Sequence, residues 1–139
     1  MSATQEQIRF GGTTAREPAT IGDLDVLEGS PISRYSDLIG SPQDRVLVNV
    51  WDCTAGRMQF DYWADETVHI LEGEATVVDE HGRVFELRAG DVAHFVKGSR
   101  LTWTVPSYVR KLAIYSIEPA WRRRLERPAR VLRRIARLG

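Results

Sequence analysis

The sequence predicts an all-β domain, a barrel or sandwich of short strands preceded by a loop-rich arm and followed by a helix. Three observations carry this. Apolar and polar residues alternate with period two over much of the chain, turn signals recur about every ten residues, and the pattern changes to helical spacing only after Glu118. At 139 residues, 42% apolar and 27% charged, the composition suits one globular domain.

Residues 1–44 are rich in Gly, Thr, Ser, Asp and Pro and read as an arm of loops and short strands. From Arg45 the texture changes. Val46, Val48 and Val50 alternate with Leu47, Asn49 and Trp51, and Met58, Phe60 and Tyr62 alternate with Arg57, Gln59 and Asp61. Thr67 to Leu71 is a short apolar run closed by Glu72 and Gly73. Ala75 to Val78 and Val84 to Leu87 flank Asp79-Glu80-His81-Gly82, a hairpin turn. Ala89-Gly90-Asp91 and Lys97-Gly98-Ser99 are turns around a strand from Val92 to Val96. Leu101, Trp103 and Val105 alternate up to Pro106, and Val109 to Ile117 gives the last strand. Residues 45–118 form the expected barrel.

Pro119 suits the first turn of a helix, and Trp121, Leu125, Leu132, Ile135 and Ala136 share one stripe of it. Residues 119–139 hold eight arginines against one glutamate, a charge of +7, and the remaining 118 residues carry −7, so the zero total hides an asymmetry. Docking of this basic amphipathic segment on its own barrel or on a partner subunit is the favoured expectation. Anionic membrane surface and nucleic-acid phosphate rank below it. One cysteine, Cys53, excludes an intrachain disulfide, and free cysteines are commonly buried hydrophobes. The first residues show no basic start with an apolar run, so no secretory signal is expected and the expected location is the cytoplasm.

The stretches Trp51 to Gly56, Asp65 to Gly73, Ala89 to Asp91, Leu101 to Val105 and Val109 to Lys111 together resemble the single-domain cupins. The branch is the one related to ureidoglycine aminohydrolase and to an ethanolamine-utilisation protein. The resemblance spans residues 45–117 and implies a double-stranded β-helix, or jelly-roll, barrel of two facing sheets. It also implies a dimer, because members of the family usually pair through sheet edges. Cupins normally hold a catalytic metal with three histidines and a glutamate. The resemblance places the first two histidine positions on Phe60 and Tyr62, or with the alternative spacing on Gln59 and Asp61, and the third on Leu101. Only Glu66 remains of the four. One carboxylate in an apolar interior does not hold a dication, which needs several ligands in fixed geometry, so no metal and no other cofactor is expected.

Glu66, facing inward, would lie among Met58, Phe60, Tyr62, Leu101 and Trp103, and those six residues form the expected small-molecule pocket. There Glu66 can serve as acid, base or hydrogen-bond anchor, with Tyr62 and His94 as its partners, or it can be structural. Alternation does not decide whether His94 or Phe95 faces in. His69 is expected at a sheet or subunit contact and His81 in solvent. The expected function is binding of a small molecule without a metal. A regulatory module working through its arginine-rich segment and a metalloenzyme with a depleted site are the alternatives, and the sequence does not choose between catalyst and binder.

Overall fold

The computed structural model describes residues 7–12, 17–18, 24–119 and 122. Its strands are β1 (Glu17–Pro18), β2 (Leu24–Glu28), β3 (Ser33–Ile39), β4 (Val46–Asp61), β5 (Asp65–Val78), β6 (Val84–Arg88), β7 (Val92–Phe95) and β8 (Arg100–Ser116). They join antiparallel in the order β1-β3-β4-β8-β5-β6, with β2 also on β4 and β7 also on β5.

Three long strands make this sheet into two. β4, β5 and β8 have 16, 14 and 17 residues, more than twice an ordinary strand. Each bends midway. The β4–β8 register slips between Thr54 and Gly56, and the β5–β8 register slips between Ile70 and Glu72 and again between Gly73 and Thr76. On one side of the bends lie β3, β7 and the first half of β4; on the other lie β2, β6 and its second half. The two halves face each other, as a jelly roll requires.

The bends also change which residues point inward, since side chains alternate with period two and an inserted residue reverses the phase. Leu47, Asn49, Trp51 and Cys53 are buried before the β4 bend, and Met58 and Tyr62 after it; on β5 the buried set passes from Glu66, Val68 and Ile70 to Ala75 and Val77. Gly73 makes the β5 bend. Its φ is +74°, and a Cβ there would stand 1.9 Å from the backbone oxygen of Tyr108, so glycine is required. Pro106, where the sequence suggests a strand end, lies inside β8 instead. Neither ladder pairs residue 106 or 107, so the missing proline N–H leaves no bond unmade.

Three short strands, β1, β2 and β3, fall in the stretch expected to be an arm of loops and short strands. β2 pairs with Met58 to Phe60 and with Arg57, and β3 with Val48 to Cys53, so the sheet begins before Arg45. The helix expected over 119–139 lies, apart from Pro119 and Arg122, outside the described residues. Among the described residues no helix is long and apolar enough to cross a membrane.

Candidate functional site

Cross-strand neighbours share a face, and one inward face carries the chemistry. On β4, β8 and β5 the register sets Trp51 opposite Lys111, Asn49 opposite Ala113, and Tyr115 opposite Glu66. Glu66 and Lys111 are 1% and 4% exposed, and the Lys111 ammonium donates to Glu66 Oε1 at 3.0 Å. Three rings surround the cation, with Nζ 4.9 Å from the Trp51 and Trp103 centroids and 5.9 Å from Phe60. Buried charges are tolerated only when paired, and aromatic faces add attraction for a cation. Here both conditions hold.

Two phenols complete the group. The Tyr62 hydroxyl accepts a 2.9 Å bond from Trp103 Nε1. Burial pushes Tyr62 well above its ordinary pKa, and the nearby Glu66 charge adds to the rise. Tyr115 is raised for the same two reasons, and its hydroxyl is hydrogen-bonded to Glu66; the Asn49 amide opposes the rise in part. Both phenols therefore stay protonated at neutral pH and can donate.

These groups border a cavity of about 220 Å³ whose walls include Trp51, Phe60, Tyr62, Glu66, Lys111 and Tyr115. It opens between the two halves of the barrel. At its rim Trp63 stacks on Tyr115, with centroids 5.5 Å apart, and Arg100 holds Asp61 with bonds of 2.8 and 3.0 Å.

The residues expected from the sequence divide between this cavity and other places. Glu66, Tyr62 and Phe60 border it. Trp103 backs it as a fully buried ring beneath Lys111. Met58 is packed deeper, its sulfur 3.9 Å from Cys53 Sγ. Leu101 and His94 border a second, larger hollow of about 440 Å³ at the β6–β7 side, lined mainly by apolar groups such as Val77, Phe85 and Val92. His94 is not beside Glu66. The register pairs Glu66 with Phe95 and Thr67 with His94, so an inward Glu66 brings Phe95 in and turns His94 out, where its Nδ1 lies 2.8 Å from the Thr67 hydroxyl. Cys53 is buried, and burial lifts its thiol from 9.0 to about 11, the reverse of what a nucleophile needs.

Sequence reasoning missed Lys111, Asn49 and Tyr115. The signal was present in parity: Lys111 and Tyr115 alternate in step with Val109 and Ala113, and Asn49 with Leu47 and Trp51. A charge on the apolar parity of a strand points into the core.

A two-sheet barrel closed by bent antiparallel strands is the architecture of the cupin class. The model of the EutQ-like cupin domain matches residues 40–113, and the chain belongs to that family. Among solved structures it is similar to a putative ethanolamine utilization protein Q from Salmonella typhimurium LT2, at 26% identity over 61% of this chain and 69% of that one, with a TM-score of 0.56. It is also similar to the EutQ protein of Clostridium difficile, at 17% identity over 81% and 98% of the two chains, with a TM-score of 0.61. A cupin superfamily protein from Desulfitobacterium hafniense DCB-2 gives 21% identity over 68% and 84%, with a TM-score of 0.54. No curated protein matches the chain.

The dication usual in cupins does not fit the residues present. Glu66 already holds an ammonium, and the positions to which the family resemblance assigns imidazoles carry Phe60 and Tyr62, or with the alternative spacing Gln59 and Asp61, and Leu101. Among the described residues no three His, Cys, Asp or Glu side chains are grouped so as to hold a metal. A divalent ion at Glu66 would stand against the fixed charge of Lys111 in a medium of low dielectric.

Proposed function

We propose that this chain is a metal-independent cupin that binds a small molecule in the cavity beside the Glu66–Lys111 pair. One observation carries the reading: a buried ammonium 3.0 Å from the one family carboxylate, supplying the positive charge that a cation brings to other cupins. A charged pair at the edge of an aromatic cavity is an orienting device, because its fixed dipole and spare donors select how a polar ligand sits. The volume, about 220 Å³, is below the roughly 300–1,000 Å³ of pockets that take drug-sized ligands. The ligand is correspondingly small.

A fragment screen by ¹H–¹⁵N NMR tests the reading. Bound fragments are expected to move the indole N–H signals of Trp51 and Trp103 while leaving remote amides on β6 in place. Equilibrium dialysis against Mn²⁺, Ni²⁺ and Zn²⁺ is expected to leave less than one tightly held ion per chain. A full equivalent of any of them, lost on Glu66→Gln, would overturn the proposal, as would a screen in which no fragment moves either indole.

A further inference from the structure

One polar atom at this site is unsatisfied. Asn49 is 8% exposed, borders the cavity, and its Oδ1 has no hydrogen-bond partner among the described residues. A buried acceptor left unpaired is destabilising, so a ligand that brings a donor to it is favoured. The Lys111 ammonium and the Tyr62 hydroxyl border the same space and can donate into it, whereas the Tyr115 hydroxyl proton is already given to Glu66. The walls are flat rings: Tyr35, Trp51, Phe60 and Trp63.

We infer that the cavity selects an uncharged molecule carrying a carboxamide or lactam on a flat apolar body. In this reading its N–H meets Asn49 Oδ1 after a small movement of that side chain, and its carbonyl oxygen accepts from Lys111 or the Tyr62 hydroxyl. This deepens the binding function proposed above and rests on it. Charge decides the class. Glu66 and Lys111 neutralise each other, as do Asp61 and Arg100 at the rim. A ligand carboxylate entering this site brings a second negative charge towards Glu66, and a ligand ammonium a second positive one towards Lys111, each without a free counter-ion among the described lining residues. A charge taken from water into such a site costs far more than a neutral amide does. The amide alone offers a donor and an acceptor side by side and no net charge.

Four probes built on one benzene ring test this by titration calorimetry on the full chain at pH 7: benzamide, benzoate, benzylamine and N,N-dimethylbenzamide. Benzamide is expected to saturate at one per chain, with the other three about tenfold weaker or more; loss of one N–H bond to a buried acceptor accounts for the dimethyl compound. Asn49→Leu is expected to remove the preference for benzamide over N,N-dimethylbenzamide, and because that preference is also read on the unaltered protein, a poorly folded variant does not obscure it. If benzoate or benzylamine binds as tightly as benzamide, the amide class is wrong while the cavity remains a binding site. If N,N-dimethylbenzamide matches benzamide, the role given to Asn49 is wrong. If none of the four saturates while the fragment screen gives hits, the class alone fails; if both are blank, the binding function fails with it.

Discussion

Where β4, β5 and β8 bend, the interior is filled by Cys53, Met58, Val105 and Val109, none more than 2% exposed. Where the same strands run towards their ends, the interior holds Glu66, Lys111, Asn49 and Tyr115 around open space. The bent end is packed like an ordinary core and takes its stability from apolar contact and from backbone shape. The open end carries charges that burial makes costly, kept there by their mutual attraction and by three rings. The same strands thus carry a packed apolar end and an open, charged end.

The largest expected effect lies at the bent end. Gly73→Val places a branched side chain against the Tyr108 carbonyl at a positive φ. The expected loss is about 4 kcal/mol or more, the range of severe backbone and packing faults, read from urea unfolding. A loss near zero would mean that the bend does not depend on glycine.

Alkali should strain both ends together. Cys53 at the bent end and Tyr62 and Tyr115 at the open end all have raised pKa values. An acid whose folded pKa exceeds its unfolded one keeps its full contribution below the unfolded value and loses it as pH rises towards the folded value. For Cys53 that window runs from 9.0 to about 11, and the tyrosines extend it upward from 10.0. Stability is therefore expected to hold to about pH 9 and then fall, on the order of 2 kcal/mol for Cys53 at the upper end of its window. Cys53→Ala should lose stability at neutral pH yet show a shallower alkaline fall. An unchanged slope would remove the thiol from the account.

The smallest effect belongs to the rim. The Arg100–Asp61 pair is about two-fifths exposed on each side, and exposed ion pairs contribute roughly 0–1 kcal/mol. Arg100→Ala should cost no more than that, and salt should diminish it further. A larger loss would show that the rim is part of the core's support.

Much of the fold was legible in the residues, because alternation marks strands and Asp79 to Gly82 and Ala89 to Asp91 mark turns. The long strands were read as fragments, since a bulge at Thr54–Gly56 and a proline at 106 both look like ends when only local pattern is seen. Short strands were expected before Arg45, but not that β2 and β3 would pair with β4 and extend its sheet, since no local pattern reports a partner that far along the chain. Of the residues that border the cavity, Glu66, Tyr62 and Phe60 were expected to lie together and Lys111 was not. Its partner lies 45 residues away, and only the register of β5 on β8 brings the two charges into contact.

A double-mutant cycle on Glu66 and Lys111, read by urea unfolding at pH 7, tests most directly whether these charges act as one unit. Lys111→Met alone should cost about 3–5 kcal/mol by stranding a buried carboxylate, and Glu66→Leu alone a similar amount by stranding the ammonium. Changing both should cost far less than the two losses added, because neither charge is then left without its counterpart. Losses that simply add would mean that the two side chains do not depend on each other, and the ion-paired cavity would have to be abandoned.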